Sequence, residues 1–140
     1  MRVLLNTNIM LDSFLEREPF VRDAKALLEA IQTQRIEGYV TATTLTDIFY
    51  IVKRQTRSLK RAKRAVSTTL TLMQVCTVDR SIFEAAISSS LPDFEDAVQL
   101  ACAISENLNA IITRDPKGFA GATIAILSAS EFVSRLSSNS

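Results

Sequence analysis

The residues able to do chemistry in this 140-residue chain are acids: Asp47, the pair Asp93 and Asp96, and Asp115, each beside an apolar run. A further position, at the end of Val3-Leu4-Leu5, completes the set but holds an amide, Asn6. Carboxylates brought together repel one another unless a cation lies between them, and hard oxygen donors select Mg²⁺ or Mn²⁺. The chain contains no histidine, which removes imidazole acid–base catalysis and Ser-His triads. Its three glycines form no phosphate-cradling loop, which also counts against a receiver-like nucleotide-binding domain. Each residue taken alone has an ordinary structural role. Asp93 suits a helix cap, Asp47 a solvated helix face, Asp115 a turn before Pro116, and Asn6 a strand-to-loop turn. Their joint placement points instead to a metal site with one ligand changed from acid to amide.

Alternating strands and helices have to bring them together. Apolar runs predict strands at Arg2–Asn6, Tyr39–Thr41, Val75–Val78, Asn109–Thr113 and Ala122–Leu127. Helical spacing predicts helices over Val21–Gln34, after a cap at Thr43 or Thr44, from Ser58, over Ile82–Ser90 behind Asp79, after Asp93, and over Ser130–Leu136. Asp12–Pro19 reads as a short helix and loop. This alternation implies an α/β fold, a mostly parallel sheet of four to five strands covered on both faces. In such sheets ligands bind beyond the carboxyl ends of the strands. Asn6 ends the first strand, Asp115 follows the fourth, Asp96 lies three residues after Asp93 on one helix, and Asp47 opens the helix after strand two. All of them can face one cleft. The expected organisation is one domain over residues 1–136, with a disordered tail at 137–140.

The motifs have a family resemblance. Leu4-Leu5-Asn6-Thr7-Asn8-Ile9 is similar to the opening of PIN-domain nucleases, where the motif is normally Asp-Thr-Asn. Thr41-Ala42-Thr43-Thr44-Leu45-Thr46-Asp47 resembles the second motif, with Asp where Glu is more usual. Asp93-Phe94-Glu95-Asp96-Ala97 resembles the third and Ile111-Ile112-Thr113-Arg114-Asp115, with Phe119, the fourth. The size resembles toxin subunits of the VapC type from bacterial toxin–antitoxin pairs. The resemblance implies a three-layer αβα sandwich, cleavage of RNA dependent on Mg²⁺ or Mn²⁺, an antitoxin partner and a homodimer. It also implies site roles: Asp96, Asp115 and position 6 as metal ligands, Asp47 completing the catalytic set, and Asp93 at a second ion or acting through water. Thr7, Asn8 and Thr113 would hydrogen-bond to ligands or phosphate. Phosphodiester hydrolysis needs an activated water and neutralised phosphate charge, both of which carboxylate-held metal supplies.

Asn6 departs from that pattern and removes one negative charge. Two readings stay open: a natural relative with weak or absent catalysis, or an active enzyme disarmed by one Asp→Asn change. The competing function is a non-catalytic PIN-fold module that binds RNA or protein.

Net charge is only +1, but basic residues crowd one stretch. If residues 53–64 form one helix, Lys53, Arg57, Lys60, Arg61 and Arg64 line one side and suit RNA phosphates; the alternative is a merely solvated face. Tyr39 and Tyr50, without any Trp, give little signal for base stacking. Cys76 and Cys102 lie apart in apolar contexts, as buried free thiols would. No apolar run reaches 18 residues, so the expectation is a cytoplasmic protein without a membrane span.

Overall fold

In the computed structural model, which describes residues 1–138, the chain runs β1 (Arg2–Leu5), α1 (Thr7–Phe14), α2 (Val21–Gln32), β2 (Glu37–Thr41), α3 (Ala42–Thr56), α4 (Leu59–Leu72), β3 (Gln74–Cys76), α5 (Arg80–Ile87), α6 (Phe94–Ser105), β4 (Ala110–Ile112), a 3₁₀ turn (Pro116–Phe119), β5 (Ala125–Leu127) and α7 (Ala129–Ser138). The five strands form one sheet in the order β3-β2-β1-β4-β5, with every pairing parallel. β1 pairs with β2 through Leu4–Tyr39 and with β4 through Leu5–Ile112.

Alternation along the strands builds a core on each face. Val3, Leu5, Val40, Ala110 and Ile112 face one core, which takes in Ile9 of α1, Leu27 of α2, Ile48 of α3, Ala62 of α4 and Phe132 of α7. Leu4, Tyr39 and Ile111 face the other, with Ile82 of α5, Ala97 and Cys102 of α6, and Phe119. Helices therefore cover both faces, and the fold is the expected three-layer αβα arrangement. Cys76 and Cys102 are free and buried, and burial pushes the Cys76 thiol up to about 12. Among the described residues, no helix is long and apolar enough to cross a membrane.

The departures from sequence expectation are local. The first helix begins at Thr7, directly after β1, rather than near Asp12. Its period is hidden because Thr7, Ile9, Met10, Leu11, Asp12 and Ser13 are all buried, so no polar stripe marks it. Thr41, not Thr43 or Thr44, caps α3, its hydroxyl accepting from the Thr44 amide. Residues 53–64 are not one helix: α3 ends with Arg57 in the left-handed region (φ 55°), and Ser58 caps α4 by accepting from the Arg61 amide at 3.1 Å. α7 continues through Ser138, past the expected start of the tail, whose last two residues, 139 and 140, lie outside the described residues.

Candidate metal centre

The strand order fixes where a site can form. The chain steps from β1 to β2 and β3 on one side, then crosses to β4 and β5 on the other. The switch point is therefore between the carboxyl ends of β1 and β4, the usual ligand crevice of parallel sheets. Asn6 leaves β1 there, and Thr113-Arg114-Asp115 leaves β4 beside it.

Asn6 is tied down by every polar group it has. Its backbone N–H donates to the Ile112 carbonyl at 2.9 Å, extending the β1–β4 ladder. Its Oδ1 accepts from the Asn8 amide at 3.2 Å and caps α1. Its Nδ2 donates to Gln99 Oε1 at 2.9 Å and, more weakly, to Asp96 Oδ1 at 3.4 Å. The amide thus holds α1, β4 and α6 together, and the NH₂ points at the carboxylate an ion would share.

Asp96 sits one turn into α6, behind the Asp93 cap, whose Oδ1 accepts from the Asp96 amide at 2.9 Å. Burial first, then the charges of Asp93 and Asp115, raise the Asp96 carboxyl to about 6, against a lowering by the Asn6 hydrogen bond. Asp115 approaches from the other side. Its amide donates to Thr113 Oγ1 at 3.2 Å, and the turn behind it is closed by Gly118 N–H donating to the Asp115 carbonyl at 3.1 Å. A Cβ placed on Gly118 would lie 3.0 Å from Asp96 Oδ2 and 3.8 Å from Asp115 Oδ2, so both carboxylates converge on this hydrogen-only position.

Asp47 of α3 meets α6 through Glu95, a residue the sequence does not single out. The Glu95 carboxyl is within hydrogen-bonding reach of Asp47. Burial, that contact and the Asp47 charge raise Glu95 to about 7, although a hydrogen bond from Thr7 opposes this. Thr7 Oγ1 donates to Glu95 at 3.0 Å and lies 2.9 Å from the Thr44 hydroxyl, which is 3.1 Å from that of Thr41. A buried hydroxyl chain thus connects the ends of β1 and β2 to the acids.

Asn6, Thr7, Asn8, Asp47, Asp93, Glu95 and Asp96 line a cleft of about 260 Å³, with Leu11 and Ile51 as its apolar part. Thr113 is buried beneath Asp115 as its hydrogen-bond acceptor. The expected acids, Asn6, Thr7, Asn8 and Thr113 therefore gather at one sheet edge. The basic residues do not join them. Lys53, Arg57, Lys60, Arg61 and Arg64 are exposed around the α3–α4 break, and Arg57 is about 15 Å along the helix axis from Asp47. Among the described residues, no three Asp, Glu, His or Cys side chains are arranged to hold a metal ion, and no Lys or Arg forms an ion pair with Asp47, Asp93, Glu95, Asp96 or Asp115.

Two residues of the cleft, Glu95 and Gln99, escape the sequence reading. Glu95 stands inside the Asp93–Asp96 motif. Gln99, fully buried, lies three residues after Asp96, the spacing that shares a helix face, and is polar among Ala97, Val98, Leu100 and Ala101. That anomaly is the available signal.

Proteins of known structure share this fold. A family model described as PIN domain matches residues 2–117. No curated protein matches the sequence significantly. Among solved structures, a toxin–antitoxin complex from Klebsiella pneumoniae superposes with a TM-score of 0.67 at 24% identity, over 91% of this chain and 97% of that one. The Mycobacterium tuberculosis toxin VapC20, a Sarcin-Ricin loop cleaving toxin, gives 0.68 at 15% identity, over 84% and 93%. VapBC2 of Rickettsia felis, bound to a DNA fragment from its promoter, gives 0.63 at 14% identity, over 91% and 98%. With the matched region running from the first residue of β1 to the turn that carries Asp115, the chain belongs to the PIN domain family.

Proposed function

We propose that this chain is a metal-dependent endoribonuclease fold of the toxin–antitoxin type, weakened or silenced by Asn6. The observation that carries the reading is the convergence of Asp96, Asp115 and Asn6 at the β1/β4 switch point, with Asp47, Asp93 and Glu95 beside them and, among the described residues, no cationic side chain paired to any of the six. Uncompensated carboxylates of this kind raise one another's proton affinity, as they do at Asp96. The donor set is all hard oxygen and fits Mg²⁺ or Mn²⁺. Asp96, Asp115 and residue 6 would hold the ion, with Asp93 near a second position. Bound there, a divalent ion supplies charge neutralisation at phosphate and an acidified water.

This chain's own residues supply the rest. Asp47 and Glu95, side by side at the cleft, would accept a proton from an attacking water. Thr7 and Asn8 present donors at the cleft wall, and Thr113 fixes the Asp115 backbone. Asn6 subtracts a charge and turns an N–H donor toward Asp96, so metal affinity and turnover both fall. Relatives solved as toxin–antitoxin complexes, and one described as cleaving the Sarcin-Ricin loop, support RNA as substrate and a small antitoxin as partner. A homodimer and a cytoplasmic location go with that reading.

A second reading is favoured by the Asn6 amide itself. Its bonds to Gln99 and Asp96 hold the cleft wall together without a metal, as a PIN-fold module that binds RNA or protein without cutting would need. Incubating a broad RNA panel with this chain and with Asn6→Asp, with and without EDTA, separates the two. EDTA-sensitive cleavage by Asn6→Asp, absent or much slower in the Asn6 form, supports the nuclease. An inert, folded and metal-loaded Asn6→Asp protein supports the binding module.

A further inference from the structure

Outside the cleft, one carboxylate among the described residues is completely buried. Asp12 of α1 has no solvent exposure, and neither of its oxygens accepts a hydrogen bond in good geometry. Two arginines lie near it. Arg114 Nε is 3.1 Å from Oδ2, and Arg17 Nη1 is 3.9 Å from Oδ1, while the Arg17 backbone N–H donates to the Asp12 carbonyl at 3.0 Å. The Arg114 guanidinium also lies over the Phe20 ring, 4.3 Å from its centroid. Burying a carboxylate this way is a poor route to stability, because desolvation cancels most of the attraction. Fixing a geometry is the better-supported use of such a pair.

What it fixes is the segment carrying Asp115. Thr113 Oγ1 accepts from the Asp115 amide, and Asp115 Oδ2 lies beside Gly118 as Asp96 Oδ2 does, while the Arg114 side chain reaches Asp12 of α1. The segment is held at its start by the Thr113 amide donating to the Leu127 carbonyl, and at its end by buried Phe119. Between these points Arg114 ties the segment to α1 through its side chain, one residue from Asp115. We propose that the Asp12–Arg114 pair is a latch that positions Asp115 for metal binding, making Asp12 and Arg114 positioning residues of the site. The proposal rests on the reading of Asp115 as a metal ligand, but the latch has a signature that does not.

The test uses Asp12→Asn and the paired replacement Asp12→Leu with Arg114→Met, in the full chain carrying Asn6→Asp. The apolar pair removes the buried charges together and so keeps the protein folded where a single change fails. Hydrogen exchange of the metal-free proteins is expected to quicken at residues 113–119 and to stay unchanged in β1 and α6. Mn²⁺ titration is expected to show roughly tenfold weaker binding, the usual scale for groups that orient a metal ligand. In an Asp115→Asn background the same replacements are expected to add no further loss, since they act through that residue. A merely structural pair would lower stability without this dependence on Asp115. Faster exchange at 113–119 with Mn²⁺ binding indifferent to Asp115 sustains the latch and sinks the metal assignment. Unchanged exchange at 113–119 in the folded double variant overturns the latch, whatever the metal does.

Discussion

Position 6 shows how one atom changes what a site can do. An Asp there keeps the α1 cap, since its oxygen still accepts from the Asn8 amide, but loses the donor that now bonds Gln99 and Asp96. Without metal, Asn6→Asp is expected to lower folding stability by about 1–3 kcal/mol, the scale for a broken buried polar interaction. Thermal denaturation checks this, and saturating Mn²⁺ should recover the loss by mass action. Gly118 is the second sensitive point. A methyl there would sit 3.0 Å from Asp96 Oδ2, closer than ordinary van der Waals contact, and would press on that carboxylate while touching Asp115 at an ordinary 3.8 Å. Gly118→Ala in the Asn6→Asp protein is expected to weaken Mn²⁺ binding several-fold with little change in melting temperature. Equal affinity by calorimetry would place the ion elsewhere.

At the scale of elements, the α3–α4 hairpin decides how the basic residues act. The left-handed Arg57 and the Ser58 cap split what the sequence presents as one stripe, so the charges form a cluster at a helix–helix turn. Replacing Arg57, Lys60, Arg61 and Arg64 by Ala is expected to weaken RNA binding and flatten its salt dependence, by about 0.7 in log–log slope for each phosphate no longer neutralised. The measurement is made in EDTA, so that metal-dependent cutting does not interfere with it. An unchanged slope would reduce the cluster to a solvated face. The strands, α2 and the Asp79 and Asp93 caps are legible in the sequence because periodicity and side-chain capping are local properties. α1 is not, because a helix buried nearly all round carries no amphipathic signature. Ser58 is readable as the start of α4, but the left-handed turn before it is not, because nothing in Gln55-Thr56-Arg57 marks a left-handed residue. The acids are readable as a group from the topology of a parallel sheet. Glu95, Gln99 and the Asp12–Arg114 pair become visible only through contacts between distant elements.

For the whole molecule, the carboxylate cluster makes stability depend on pH. Asp96 and Glu95 titrate near 6 and 7 in the folded protein, against ordinary values of 3.8 and 4.5. Between about pH 4 and 7 the folded state therefore holds more protons than the unfolded one, and stability falls as pH rises. Glu95 is exposed, so solvent screening moderates its share. The lowered carboxyls, Glu16, Asp79 and Glu131, work in the opposite sense, at the acid end of this window and below it. The metal-free melting temperature is expected to drop from pH 5 to pH 7.5, and Mg²⁺ to flatten that decline. A flat metal-free profile would mean that these acids do not press on one another.

On the proposed reading, residue 6 is the charged ligand that a divalent-metal site around Asp96 and Asp115 lacks. Calorimetric Mn²⁺ titration of this chain, of Asn6→Asp, and of Asn6→Asp with Asp96→Asn tests it most directly. Binding at least tenfold tighter in Asn6→Asp, and lost again when Asp96 is also changed, is the expected result. Equal affinity in all three folded proteins would contradict it.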